Sequence, residues 1–233
     1  VNNRPSGDAI TGTKRIGLFG GTFDPVHHGH LRAGEEIRQA LALSWVEFLP
    51  AGIPPHKTEQ PFTDVSHRIA MLRRAVEGNP YFRVSEVEAS REGVSYLVET
   101  LQTYRDHYPA DVSLYFIMGM DSFQEIATWH RYADLFSLSH FVIITRPGYE
   151  RPSLSAVVSE DVTASFVPCQ REPECLQHES GHRIHFQETS RLDISASKLR
   201  AWIREDQSVR YLIPERVWDY IREHGLYASS RKD

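Results

Sequence analysis

A doubly wound α/β fold, a parallel sheet with helices on both faces and a small helical part at the C-terminus, is what three observations predict. Short apolar runs alternate with segments of helical periodicity. Four of these runs stop at a glycine or proline: Gly20-Gly21, Pro50, Gly119 and Arg146-Pro147-Gly148. Residues with chemistry to offer follow those stops or open helices, along the sheet edge where open α/β folds bind ligands. Strand, helix and parallel strand then connect by right-handed crossovers.

Ile16 to Phe19 reads as a buried strand ending at the glycine pair, and a helix follows from about Leu31. Its apolar stripe is Leu31, Ile37, Ala40 and Leu41, with Glu35, Glu36 and Arg38 on the wet side. Trp45 to Leu49 is the second strand, closed by Pro50. The loop from Pro50 to Lys57 is stiffened by Pro50, Pro54 and Pro55 and presents His56 and Lys57 side by side. It is either a rigid connector or a second set of cations at a strand end. Asp64 caps a helix to about Gly78, with Ile69, Leu72 and Val76 on one face. Phe82 to Glu88 alternates, as a strand with one wet face does. Ser95 begins the next helix, with Leu97, Val98 and Leu101 inward.

Val112 to Met118 is the most apolar run and the predicted central strand; Gly119 ends it, and Asp121 and Ser122 follow. Two short helical pieces flank Trp129-His130-Arg131 between positions 123 and 138, and Phe141 to Thr145 is a further buried strand. Positions 149 to 182 read as an irregular excursion on the same domain. Arg183 to Gln187 is a last short strand, and Ile194 to Arg200 opens a helix through about Arg204. Pro214 starts the final helix, which carries Val217, Tyr220 and Ile221 and ends at Gly225. One domain over 14–228 is expected, with polar tails at 1–13 and 229–233.

Of the 233 residues, 40% are hydrophobic and 24% charged, the composition of an ordinary globular protein. A net charge of −5 argues against a mainly electrostatic grip on nucleic acid. No apolar run approaches the ~20 residues that span a bilayer, so no membrane partner is expected. The N-terminus lacks the apolar core of a signal peptide, and the expected location is cytoplasmic. Oligomeric state is open and leaves room for a homo-oligomer. Two cysteines rule out a disulfide framework. Cys169, Cys175, His178 and His182 are residue types that suit zinc, but their spacing is no standard zinc pattern, and unpaired loop thiols are the default.

The chemistry concentrates between Gly20 and His30. Glycines let backbone approach a ligand, a helix start points free N–H groups at anions, and histidines add donors able to carry charge near neutral pH. Gly119 to Asp121 and Ser195 to Arg200 occupy equivalent places. Each has an ordinary structural explanation, as turn, solvated side chain or helix cap; their joint occurrence in one α/β chain points to phosphate handling. There is no Gly-x-Gly-x-x-Gly and no Gly-x-x-x-x-Gly-Lys-Ser/Thr, which leaves nicotinamide-dependent oxidoreductases and P-loop NTPases unsupported.

Gly20-Gly21-Thr22-Phe23-Asp24-Pro25-Val26-His27-His28-Gly29-His30 is similar to the signature of the nucleotidylyltransferase superfamily, whose fold is Rossmann-like. Ile194, Ser195, Ser197 and Arg200 resemble that group's late motif. Pro54 to Lys57, Gly119-x-Asp121, Trp129 and Arg146 to Tyr149 fall in the order of the bacterial nicotinate-nucleotide adenylyltransferase family. The resemblance runs from about Lys14 to Tyr227. It departs at Ala196, often serine, and at Leu97, commonly threonine.

This resemblance implies adenylyl transfer from ATP, with Mg²⁺, to nicotinate mononucleotide in NAD biosynthesis. The attacking group is a phosphate monoester whose second pKa is ~6, so no strong base is required. His27, His30, Lys57 and Arg200 would be the catalytic groups. Gly20, Gly21, Thr22, Phe23, Ser195 and Ser197 would join His27, His30 and Arg200 in holding ATP. Thr22, Phe23, His56, Lys57, Tyr96, Gly119, Asp121, Trp129 and Arg146 would hold the mononucleotide, Asp121 through a ribose hydroxyl and Trp129 by stacking or simply as core. Asp24 is either a metal contact or a turn stabiliser. The rivals are a nicotinamide mononucleotide or phosphopantetheine adenylyltransferase, and a non-catalytic nucleotide-binding regulator.

Overall fold

In the computed structural model, which describes residues 14–52, 62–91, 93–145, 148, 151–170, 172 and 174–229, eight strands join in one sheet. They are β1 (Arg15–Gly21), β2 (Trp45–Pro50), β3 (Phe82–Val84), β4 (Ser113–Gly119), β5 (His140–Thr145), β6 (Phe166–Pro168), β7 (Cys175–His178) and β8 (Arg183–Glu188). Their order is β3-β2-β1-β4-β5-β8-β7-β6. The six strands from β3 to β8 are parallel, while β7 and β6 close the edge antiparallel. The register sets Gly21 beside Pro50 and Gly119 beside Ile144, so the strands end nearly level.

Alternation along the central strands divides the core in two. Ile16 and Leu18 of β1 and Leu114, Phe116 and Met118 of β4 face one way. They pack with residues of α3 (Leu97–His107), α4 (Met120–Gln124) and α5 (Tyr132–Leu135). Phe19, Tyr115 and Ile117 face the other way. There they meet α1 (His28–Ala40), α2 (Val65–Val76), α7 (Ala196–Arg204) and α8 (Glu215–Glu223). Helices on both faces of a mostly parallel sheet are the doubly wound arrangement expected from the alternation. A further short helix, α6 (Glu160–Ala164), precedes β6.

Several local expectations change. Helix α1 begins at His28 rather than near Leu31, so His28-Gly29-His30 is its first turn. Its buried face is Ala33, Gly34 and Ile37, with Ala40 exposed; a Cβ on Gly34 would lie 3.2 Å from the Phe48 ring. The alternating segment after Phe82 pairs only to Val84: Ser85 still donates to the Phe48 carbonyl, then the chain turns and buries Glu88. The stretch 149–182 is less irregular than expected, since α6, β6 and β7 lie in it.

The cysteines are not unpaired loop thiols. The β6–β7 hairpin sets Pro168 opposite Leu176, which brings the next residues, Cys169 and Cys175, to a Cα separation of 5.4 Å, and they form a disulfide. The suggested Cys₂His₂ cluster does not assemble, because the sulfurs bond each other and His178 and His182 both pair with the Ser180 hydroxyl through Nδ1.

Candidate active site

The turn from β1 into α1 forms the first wall of the site. Gly20 is needed there for space, since a Cβ would lie 2.5 Å from the Phe116 ring. Phe23 adopts a positive φ of 51° and buries its ring against Phe19, Phe48 and His30, anchoring the turn to the core. His27 is the N-cap of α1, and its N–H donates to Nδ1 of His30 at 3.3 Å. That bond leaves Nε2 of His30 to carry the ring proton. The two rings stack with centroids 3.7 Å apart.

Burial, then the neighbouring His28, pulls His27 down to about 4. Burial, then His27, holds His30 well below the ordinary histidine value. Both are therefore neutral at pH 7 in the free protein and act as uncharged donors. Among the described residues Nδ1 of His27 is buried without a hydrogen-bond partner, an unusual state for a polar atom beside a helix start.

The second wall is the start of α7. Ser195 is its N-cap and accepts from the Lys198 N–H, while the Ser195 and Ser197 hydroxyls lie 3.3 Å apart. Both serines are exposed. Arg200, one turn into the helix, donates from Nη1 to the Asp24 carbonyl at 2.6 Å and so ties α7 to the first turn. Asp24 itself is buried; its carboxylate accepts from the Tyr227 hydroxyl at 2.5 Å and from the Thr63 N–H at 3.3 Å. Those two bonds tie the turn to Thr63 and Tyr227. The Tyr227 hydroxyl is pushed up by burial and by the Asp24 charge, so it stays a donor.

Beside these walls a cleft of about 200 Å³ opens over the ends of β1, β2 and β4. Its floor is apolar, from Leu49, Phe116 and Met118; Gly20, Gly21 and Thr22 form one rim and Tyr96, Leu97 and Trp129 the other. Tyr96 packs on His130 with ring centroids 4.4 Å apart. Two buried charges brace this rim. Arg68 donates to the carbonyls of Thr63 (2.9 Å), Thr22 (2.9 Å) and Gly52 (3.4 Å). Glu88 accepts from the Gly52 N–H at 3.2 Å and from the Thr100 hydroxyl at 3.0 Å. Burial raises the Glu88 carboxyl above its usual range, against the pull of those two donors.

The structure thus brings Gly20, Gly21, Thr22, His27, His30, Ser195, Ser197 and Arg200 to one corner, with Tyr96 and Trp129 across the adjoining cleft. The Phe23 side chain belongs to the core. Gly119 and Asp121 are exposed at the exit of β4, where Ser122 and Glu125 line the cleft in their place. His56, Lys57 and Arg146 lie outside the described residues. Arg68 and Glu88 were missed. For Arg68 a signal existed, because it shares the α2 face of Ile69, Met71 and Leu72, where a charge needs partners.

A glycine-rich helix start at the first strand of a parallel sheet, tied through Arg200 to a second helix start, fits a nucleotidyltransferase. The cytidylyltransferase-like family model matches residues 18–202. With its curated relatives added, the chain belongs to the nicotinate-nucleotide adenylyltransferase family. The protein of Trichlorobacter lovleyi named probable nicotinate-nucleotide adenylyltransferase is 43% identical over 91% of this chain and 99% of its own length. That of Moorella thermoacetica, under the same name, is 41% identical over 94% of each. Among solved structures, Plasmodium falciparum nicotinic acid mononucleotide adenylyltransferase complexed with NaAD superposes with a TM-score of 0.69. It covers 92% of this chain and 97% of that one at 18% identity, a likeness of fold.

Proposed function

We infer that this chain transfers the adenylyl group of ATP, presented with Mg²⁺, to nicotinate mononucleotide, giving nicotinate adenine dinucleotide and pyrophosphate. The observation that carries this reading is the pair of helix starts joined by the Arg200–Asp24 bond, next to an apolar cleft with aromatic walls.

An oxygen of the mononucleotide phosphate attacks the α-phosphorus of ATP. The new P–O bond forms as the bond to the bridging oxygen of pyrophosphate breaks, in line. The nucleophile arrives ionised, so the protein aligns two anions and stabilises the charge that shifts to the leaving group. His27 and His30 supply N–H donors to the phosphates, and α1 and α7 add their dipoles. Ser195, Ser197 and Arg200 hold the phosphates from the opposite side, Arg200 while keeping its bond to Asp24. Backbone of Gly20 to Phe23 follows both substrates. The pyridine ring enters the cleft between Tyr96 and Trp129. Lys57, His56 and Arg146, which lie outside the described residues, add cations, and Asp121 with Gly119 meets a ribose hydroxyl. Mg²⁺ would come with ATP and would offset the charge of its phosphates. The location in this reading is cytoplasmic.

Pyrophosphate release is the test, measured with ATP and Mg²⁺ against a panel of acceptors. Turnover with nicotinate mononucleotide, weaker turnover with the amide, and none with phosphopantetheine is expected. Phosphopantetheine as the preferred acceptor would overturn the choice of substrate. No release with any acceptor from the folded protein would favour a nucleotide-binding regulator.

A further inference from the structure

The hairpin closing the far edge of the sheet carries ligand chemistry that adenylyl transfer does not use. In the β7–β8 ladder Cys175 stands directly opposite His185, so their side chains share one face. Glu172, between β6 and β7 in sequence, sets a carboxylate oxygen 3.5 Å from Nδ1 of His185. The Cys175 sulfur, a His185 ring nitrogen and a Glu172 oxygen all lie within 4.8 Å of one another. Cys169 lies outside that 4.8 Å group, but its sulfur is bonded to that of Cys175, so reduction frees a second thiol beside it. Cys175 is buried, His185 half-buried and Glu172 exposed, so the group sits at the surface with its sulfur side inward.

Two sulfurs, an imidazole and a carboxylate suit tetrahedral zinc; magnesium and calcium take oxygen ligands. A disulfide sulfur is a poor ligand and a thiolate a strong one. We propose that the reduced hairpin is a zinc site built from Cys169, Cys175, His185 and Glu172, and that metal and disulfide are alternative fastenings of the same sheet edge. The conversion balances with a dithiol reductant. Its thiolate attacks the Cys169–Cys175 bond, and its second sulfur then displaces the remaining cysteine. The dithiol ends as a disulfide, having given two electrons, and both cysteines end as thiols. Zn²⁺ then replaces the two thiol protons, which pass to solvent, and forms two Zn–S bonds. With four protein ligands no coordination position is open, so the role is structural. It holds β6 and β7 against β8, the strand that leads on towards Ser195.

Cobalt is the probe. Protein reduced with a dithiol and desalted without chelator is titrated with Co²⁺, and then with Zn²⁺. One Co²⁺ per chain is expected, with thiolate-to-cobalt charge-transfer and tetrahedral d–d absorption that Zn²⁺ abolishes. Zn²⁺ raises the Tm of the reduced protein by several degrees and leaves the oxidised protein unchanged. Cys175→Ser and His185→Ala each weaken binding more than about a hundredfold, beyond what outer partners of a metal contribute. Reduced wild-type protein without these bands in excess Co²⁺ would overturn the proposal and leave the pair a hairpin staple. Equal binding by reduced and oxidised protein would do the same. The redox comparison needs no variant, so a substitution that fails to fold does not spoil the test. None of these readouts depends on adenylyl transfer.

Discussion

Burial and neighbouring histidines hold His27 near 4 and His30 well below its ordinary range, so the free protein offers incoming phosphates uncharged N–H donors. In the proposed reaction the work of these residues is geometric, as donors fixed where charge develops. His27→Ala or His30→Ala should lower kcat by ~10²-fold or more with the fold intact by circular dichroism. Near-normal turnover in either would remove that ring from catalysis. Arg200→Ala should raise the KM for ATP more than that for nicotinate mononucleotide; equal changes in steady-state kinetics would displace it from the phosphate side. Arg68 touches neither substrate in this account. Replacing it by Met strands three partly buried carbonyls and should cost on the order of 2 kcal/mol in denaturant unfolding, with Lys recovering part.

At the scale of elements, two helix starts are tied to one another through the Arg200–Asp24 bond. Much of this was legible locally. The apolar runs of β1, β2, β4, β5 and β8, the caps Asp64 and Ser195 and the close of α8 at Gly225 each rest on neighbours in sequence. What was not legible depends on distant partners. Arg68 meets carbonyls at 22, 52 and 63, and Glu88 turns inward to Gly52, contacts that no local pattern encodes. The strands β6 and β7 are three and four residues long, too short for periodicity to declare, and so the pairing of Cys169 with Cys175 stayed hidden. Gly20 gives a prediction of its own. Its Cβ space is taken by Phe116, which floors the cleft, so Gly20→Ala should displace that ring and lower turnover at least ~10-fold. Unchanged kinetics would mean the floor yields freely.

For the whole molecule, the histidines at the site make stability depend on pH. His27 titrates near 6.5 unfolded and at about 4 folded, so between those values the unfolded chain binds more protons. Its contribution, on the order of 3 kcal/mol, is present above pH ~6.5 and is lost as pH falls through about 4. Tm measured across this window should fall with pH, and less steeply in His27→Asn; parallel profiles would contradict the assigned burial. The same neutral rings, with an ionised phosphate as nucleophile, lead to one displacement at phosphorus with no covalent adenylyl-enzyme. The stereochemical course measures this most directly. Transfer from ATP chirally labelled at the α-phosphorus should yield dinucleotide with inverted configuration. Retention would demand two displacements through an enzyme nucleophile, and would contradict the proposed direct transfer.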